Sequence, residues 1–150
     1  MNFIIEESID IEASPELVWE VLTDLPRYGE WNPFVVECAS TLEPGDPIEM
    51  KVQIFDSFAQ PQNEVIFERE HGRRICYGLA PMPLGSIASH RCHVVEPLPA
   101  GRTRYHSEFK LEGWLAPLVR GLVGARLERG FASMTQAVCQ RAELLREERA

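Results

Sequence analysis

Cysteine is sparse and ungrouped in this sequence. Cys38, Cys76, Cys92 and Cys139 are the four in 150 residues, with no C-x-x-C pair and no histidine at finger spacing. That pattern signals neither a zinc module nor a thioredoxin-like redox pair, and the four are read as free, mostly buried thiols. No metal and no cofactor is expected. Apolar runs are short, none nearing the ~20 residues that span a bilayer. The start, Met1-Asn2-Phe3-Ile4-Ile5-Glu6-Glu7, lacks a basic segment ahead of a long apolar one. It reads against a signal peptide and for a cytoplasmic location. Positive charge is also short: 15 Lys and Arg face 23 Asp and Glu, a net charge of -8. A chain of that sign is unsuited to neutralising phosphates or coating anionic lipid, so no nucleic acid and no membrane insertion are expected. Repeats and linkers are missing too, and one domain over residues 1–150 is expected.

What is present is an ordinary globular mixture, 45% apolar and 25% charged, so the chain should fold alone. Phe3 to Glu12 alternates, with Phe3, Ile5, Ile9 and Ile11 on one side, as in a half-buried strand. Ser14-Pro15 is a helix start, and Leu17, Val18, Val21 and Leu22 recur at helical spacing until Pro26. A second short helical turn fits before Pro33. Six extended runs follow: Phe34 to Ser40, Ile48 to Phe55, Asn63 to Glu70, Arg74 to Leu79, Ala88 to Glu96 and Thr103 to Leu111. Gly, Pro and Asp separate them, and such short connections argue for an antiparallel meander. From Ala116 a helix of about thirty residues is expected, with Leu118, Leu122, Ala125, Phe131, Met134, Val138 and Leu145 on its apolar side.

The fold class is therefore α+β: a curved seven-stranded antiparallel sheet around one long C-terminal helix, with two short helices between the first two strands. One helix covers such a sheet only along a line, so an apolar cavity beside it is expected.

The opening Ile9-x-Ile11-x-Ala13-Ser14-Pro15-Glu16-x-Val18-Trp19-x-Val21-Leu22-Thr23-Asp24, then Tyr28-x-x-Trp31-Asn32-Pro33, resembles the N-terminal signature of the START-like, or SRPBCC, superfamily. Gly113-Trp114-Leu115-Ala116-Pro117-Leu118-Val119 and Leu127-Glu128-Arg129-Gly130-Phe131-x-x-Met134 resemble its polyketide cyclase/dehydrase and lipid-transport branch. The resemblance implies the helix-grip, or Bet v 1-like, fold with a deep apolar pocket. It implies lipids, sterols, polyketides or plant hormones as ligands, and a fold alone names no reaction.

On the last strand Tyr105, Ser107, Phe109 and Leu111 alternate with Arg104, His106, Glu108 and Lys110, which assigns the first set to the cavity. Phe34, Met50, Tyr77, Leu118, Leu122 and Phe131 are further wall candidates, and Trp114, at the start of the long helix, is a candidate gate. His90 lies in Ser89-His90-Arg91-Cys92-His93-Val94-Val95, whose paired valines leave the facing open. Turned inward, it is a wall residue and a general acid/base candidate. Glu7, flanked by Ile5 and Ile9 on its face, is the other catalytic candidate. Glu64 belongs with Glu37, Glu43, Glu49, Glu68 and Glu70 to what reads as a solvated acidic sheet. The expected function is binding or transport of a small hydrophobic or amphipathic ligand by a monomer or homodimer. The alternative is a cyclase or dehydrase using pocket groups for proton transfer. No apolar surface stripe recommends a third reading, a protein-docking module.

Overall fold

A computed structural model describes residues 2–150. Strand β1 (Phe3–Ile11) buries Phe3, Ile5 and Ile11. Ser14 then accepts a hydrogen bond from the Leu17 amide at 3.2 Å, and Pro15 takes the first helical position. α1 (Pro15–Thr23) thus begins where one of its orphan amides has a partner, and it buries Val18, Trp19, Val21 and Leu22. One 3-10 turn (Leu25–Arg27) leads to α2 (Tyr28–Trp31). Asn32 ends it, its side-chain oxygen accepting from the amides of Phe34 and Val35, both at 2.9 Å, which aims the chain into the next strand.

β2 (Val35–Ser40), β3 (Pro47–Val52), β4 (Gln60–Glu70), β5 (Arg74–Gly78), β6 (Ala88–Leu98) and β7 (Arg102–Glu112) follow. They form one antiparallel seven-stranded sheet in the order β1-β7-β6-β5-β4-β3-β2, as expected of the helix-grip fold. Bulges in β2 and β4 bend it. Gly113 makes the corner between β7 and the last helix at φ 108°, where the Ser86 carbonyl occupies the space of a side chain. α3 (Ala116–Glu148) is 33 residues long, ~50 Å at 1.5 Å per residue, and lies across the concave face.

Two expectations need correction. α3 faces the sheet along Val119, Val123, Leu127, Phe131, Met134 and Val138, while Leu118 and Leu122 are 57% and 72% exposed. The first turns carry two adjacent apolar stripes, and the one turned about 100° away from those leucines meets the sheet. Nor are all four cysteines free: Cys76 and Cys92 stand directly opposite on β5 and β6 and are joined in a disulfide. Strand register brings together sulfurs that sequence spacing keeps apart. Cys38 and Cys139 are free, and burial pushes their thiols up to about 12 and about 11.

The two ends of α3 are held differently. Its C-terminal half is tied to the first elements by Arg141 to Glu30 (3.2 Å), Arg149 to Glu20 (2.7 Å) and Arg146 to the Glu12 carbonyl (2.8 Å). Its start is tied to the exposed turn before β6, by the Leu115 amide to the Ser86 carbonyl (3.0 Å), the Trp114 amide to the Gly85 carbonyl (3.4 Å) and the Trp114 indole to the Leu84 carbonyl (3.2 Å), and Gly121 lies in open space. Gly130, by contrast, sits on the buried Phe34 ring, which a side chain there would overlap. Gly121→Ala is expected to stabilise the protein by about 1 kcal/mol, and Gly130→Val to destabilise it by about 1–3 kcal/mol through overpacking. Urea denaturation checks both, and equal effects at the two glycines would contradict this packing.

Candidate functional site

An apolar cavity of ≈ 190 Å³ lies between β3, β4, β7 and the first half of α3. Met50 and Val52 of β3, Phe109 and Leu111 of β7, and Val119 and Val123 of α3 form much of its wall. Its polar groups are Gln62, Glu64 and Ser89. The Ser89 hydroxyl already accepts from the Leu79 amide at 2.8 Å. Gln62 donates its amide to Glu64 at 3.2 Å, leaving the carboxyl as the ionisable group of the chamber. Burial pushes the Glu64 carboxyl above the usual carboxylate range, while the Gln62 bond and the Arg91 charge pull it part of the way back. Glu64 is therefore not part of a solvated acidic surface. β4 alternates so that Gln62, Glu64 and the buried Ile66 share the inner face.

Beside the chamber the concave face is packed with buried side chains. Its floor is a buried chain of rings in which His93 joins Tyr77, whose hydroxyl lies 3.0 Å from Nε2, to Tyr105, whose hydroxyl lies 2.6 Å from Nδ1. Bridging two phenols suits a neutral imidazole, and burial together with the Arg91 charge holds His93 well below its ordinary value. Beside it Arg91, 4% exposed, bonds the Ser107 hydroxyl, stands 4.6 Å over the Phe131 ring and reaches Met134 Sδ at 3.7 Å. Among the described residues no carboxylate lies in ion-pair range of it. Phe131 in turn stacks on Phe109 at 4.8 Å and meets Phe34 edge-on at 4.9 Å.

The sequence candidates thus separate. Met50 and Phe109 line the cavity; Phe34, Tyr77, Tyr105 and Phe131 are buried in the packing beyond it. Trp114, Leu118 and Leu122 are exposed at the start of α3, with the Trp114 indole donating to the Leu84 carbonyl at 3.2 Å. Glu7 is half-buried on the inner side of β1, opposite Ser107. His90 is outside: β6 pairs with β7 so that Arg91 meets Phe109 and His93 meets Ser107, which turns Ser89, Arg91, His93 and Val95 inward. His90, Cys92 and Val94 consequently face away, and His90 stacks on Phe67 at 5.4 Å. Glu64, Arg91 and His93 are the groups that reading the sequence missed. The signal for the last two was the clear phase of β7 carried across one strand. A larger groove of ≈ 400 Å³ between α1, α2 and the end of α3 is lined by charged groups, among them Glu20, Arg27, Glu30, Arg141 and Arg149, that pair with one another.

The architecture has many solved counterparts. The Zhui aromatase/cyclase from a Streptomyces species is 18% identical, with a TM-score of 0.77 over 95% of this chain and 94% of that one. A START superfamily protein from Mycobacterium smegmatis is 19% identical, with a TM-score of 0.70 over 95% and 98%. A norcoclaurine synthase from Thalictrum is 14% identical, with a TM-score of 0.69 over 100% and 98%. At these identities the likeness is one of fold. No curated protein matches the sequence. No helix among the described residues is long and apolar enough to cross a membrane. The family model described as polyketide cyclase/dehydrase and lipid transport matches residues 2–138, and this chain, with its gripped helix and apolar chamber, belongs to that family.

Proposed function

We propose that the protein binds a small hydrophobic or amphipathic molecule, lipid-like or polyketide-like, in the cavity under the first half of α3, with the polar group of the ligand meeting Glu64. The observation that carries this reading is an apolar chamber of ≈ 190 Å³ with one ionisable side chain in its wall. A dry cavity of ~150 Å³ suffices for one aromatic ring, whereas drug-sized ligands need ~300 Å³ or more. A single ring or short chain therefore fits as the chamber stands. A longer ligand requires the start of α3 to lift, and the anchoring of that end to an exposed turn supports such an opening. The exposed Leu84, Trp114, Leu118 and Leu122 surround that route.

A second reading, proton transfer in a cyclase or dehydrase reaction, is favoured by one observation. The Glu64 carboxyl is raised by burial and held by Gln62, which suits it to give and take a proton nearer neutral pH. Tyr77, His93 and Tyr105 are committed to one another and serve the packing.

Phenol is a suitable probe, observed by ligand-detected NMR. Saturable binding is expected to vanish in Val123→Phe, whose ring enters the chamber, and to weaken about tenfold in Glu64→Gln, the scale of one charge-assisted hydrogen bond. Undiminished binding in Val123→Phe would place the ligand elsewhere.

Glu64 also governs stability against pH. Its folded value lies above its unfolded one, so the stability it contributes is complete below the unfolded value and is lost as pH rises through the folded value. Glu64→Gln escapes that loss, and its urea midpoint is expected to gain on the wild type as pH rises above the ordinary carboxylate range. Parallel profiles would mean that the carboxyl is solvated.

A further inference from the structure

The outer face of the sheet carries a cluster that the cavity does not use. Register sets Glu68, Cys76 and Cys92 in one row across β4, β5 and β6. His90 lies two residues before Cys92 on the same face. Its Nδ1 is 3.3 Å from Cys92 Sγ, and Glu68 Oε1 is 3.4 Å from Cys76 Sγ. Ligand atoms of Cys76, His90 and Cys92 all lie within 4.8 Å of one another. The two cysteines are 0% and 2% exposed, and Phe67 stacks on the His90 imidazole with 13° between the rings, which orients it. Arg74 holds Glu68 from the other side at 2.5 Å and places its Nη2 3.5 Å from Cys92 Sγ.

We propose that this row is a redox-gated zinc site, closed while Cys76 and Cys92 are bonded and able to take one Zn²⁺ once they are reduced. Two thiolates, the His90 imidazole and one Glu68 oxygen are four donors of the softness and number that tetrahedral zinc takes. Calcium and magnesium, which want six or more oxygens, are a poor match. All four side chains leave the same sheet face within three adjacent strands, so the backbone already supplies the spacing. The sulfurs need only separate by side-chain rotation to the roughly 3.7 Å that two ~2.3 Å Zn–S bonds subtend at a tetrahedral centre.

The chemistry balances with a dithiol as the reductant. Its two sulfurs give two electrons and two protons, the Cys76–Cys92 bond breaks to two thiols, and the dithiol leaves as its own disulfide. The cation then displaces both thiol protons to solvent. Glu68 exchanges the Arg74 guanidinium for the metal, and His90 binds through the nitrogen that already faces Cys92. Directly behind this row stand Tyr77, Arg91 and His93, so the cation would clamp the strands that carry the interior polar groups, from outside the cavity.

Cobalt titration reads the site without needing a variant. Protein reduced with dithiothreitol, then freed of it under argon, is expected to bind one equivalent of Co²⁺ with a thiolate-to-cobalt charge-transfer band that Zn²⁺ abolishes. The disulfide form is expected to give no such band. His90→Ala, at a half-exposed position, should weaken binding about tenfold or more, a range reached even by changes behind the ligands. Cys76→Ser with Cys92→Ser should remove the band. Because these buried serines endanger folding, the contrast between reduced and oxidised wild type is decisive. A reduced protein without the band, equal binding by the two redox forms, or undiminished affinity in His90→Ala would overturn the proposal.

Discussion

The pairing of β6 with β7 runs unbroken from Ala88 opposite Glu112 to Leu98 opposite Arg102, and the chemistry of both sheet faces depends on its phase. Strand side chains alternate strictly, so a slip of one residue would exchange the faces. His90 and Cys92 would enter the interior and Arg91 and His93 would meet water. What prevents the slip is apolar: Tyr105 and Leu111 on β7 and Val95 on β6 are all buried in the core under α3. The polar residues ride on a register that aromatic and aliphatic side chains hold.

That register explains why the chamber occupies only part of the concavity. Arg91 is too costly to bury bare, so it is surrounded by the Ser107 hydroxyl, the Met134 sulfur and the Phe131 face. His93 likewise takes two phenols as partners. Satisfying these groups packs the middle of the sheet, and the chamber lies to one side, where Met50, Val52, Phe109 and Leu111 face Val119 and Val123 and β4 adds Gln62 and Glu64. In this chain the packing that Arg91 and His93 require fills the part of the interior beside the chamber.

Much of the architecture was legible because it is written in period and punctuation. Ser14-Pro15 marked α1, turn residues separated the strands, and one uninterrupted helical repeat marked α3. Site residues were harder. Ser89-His90-Arg91-Cys92-His93 is polar throughout, so nothing local tells which alternate residues face inward, and only pairing with β7 decides. Glu64 resembled its acidic neighbours until the burial of Ile66 fixed the phase of β4. At the start of α3 two apolar stripes compete, and Leu118 and Leu122 lost to Val119 and Val123 because the latter point at the sheet. The Cys76–Cys92 bond is a property of register, which spacing along the chain does not encode.

α3 is a stiff rod tied at its C-terminal end to Glu12, α1 and α2 and at its start to an exposed turn. With Met134 as a fulcrum, its first residue stands about 18 residues away, ~27 Å at 1.5 Å per residue. A tilt of about 5° moves that end by about 2 Å, and no hydrogen bond along the rod breaks. Leverage of this kind turns a small angular change at a packed fulcrum into a displacement at the far tip that grows in proportion to rod length.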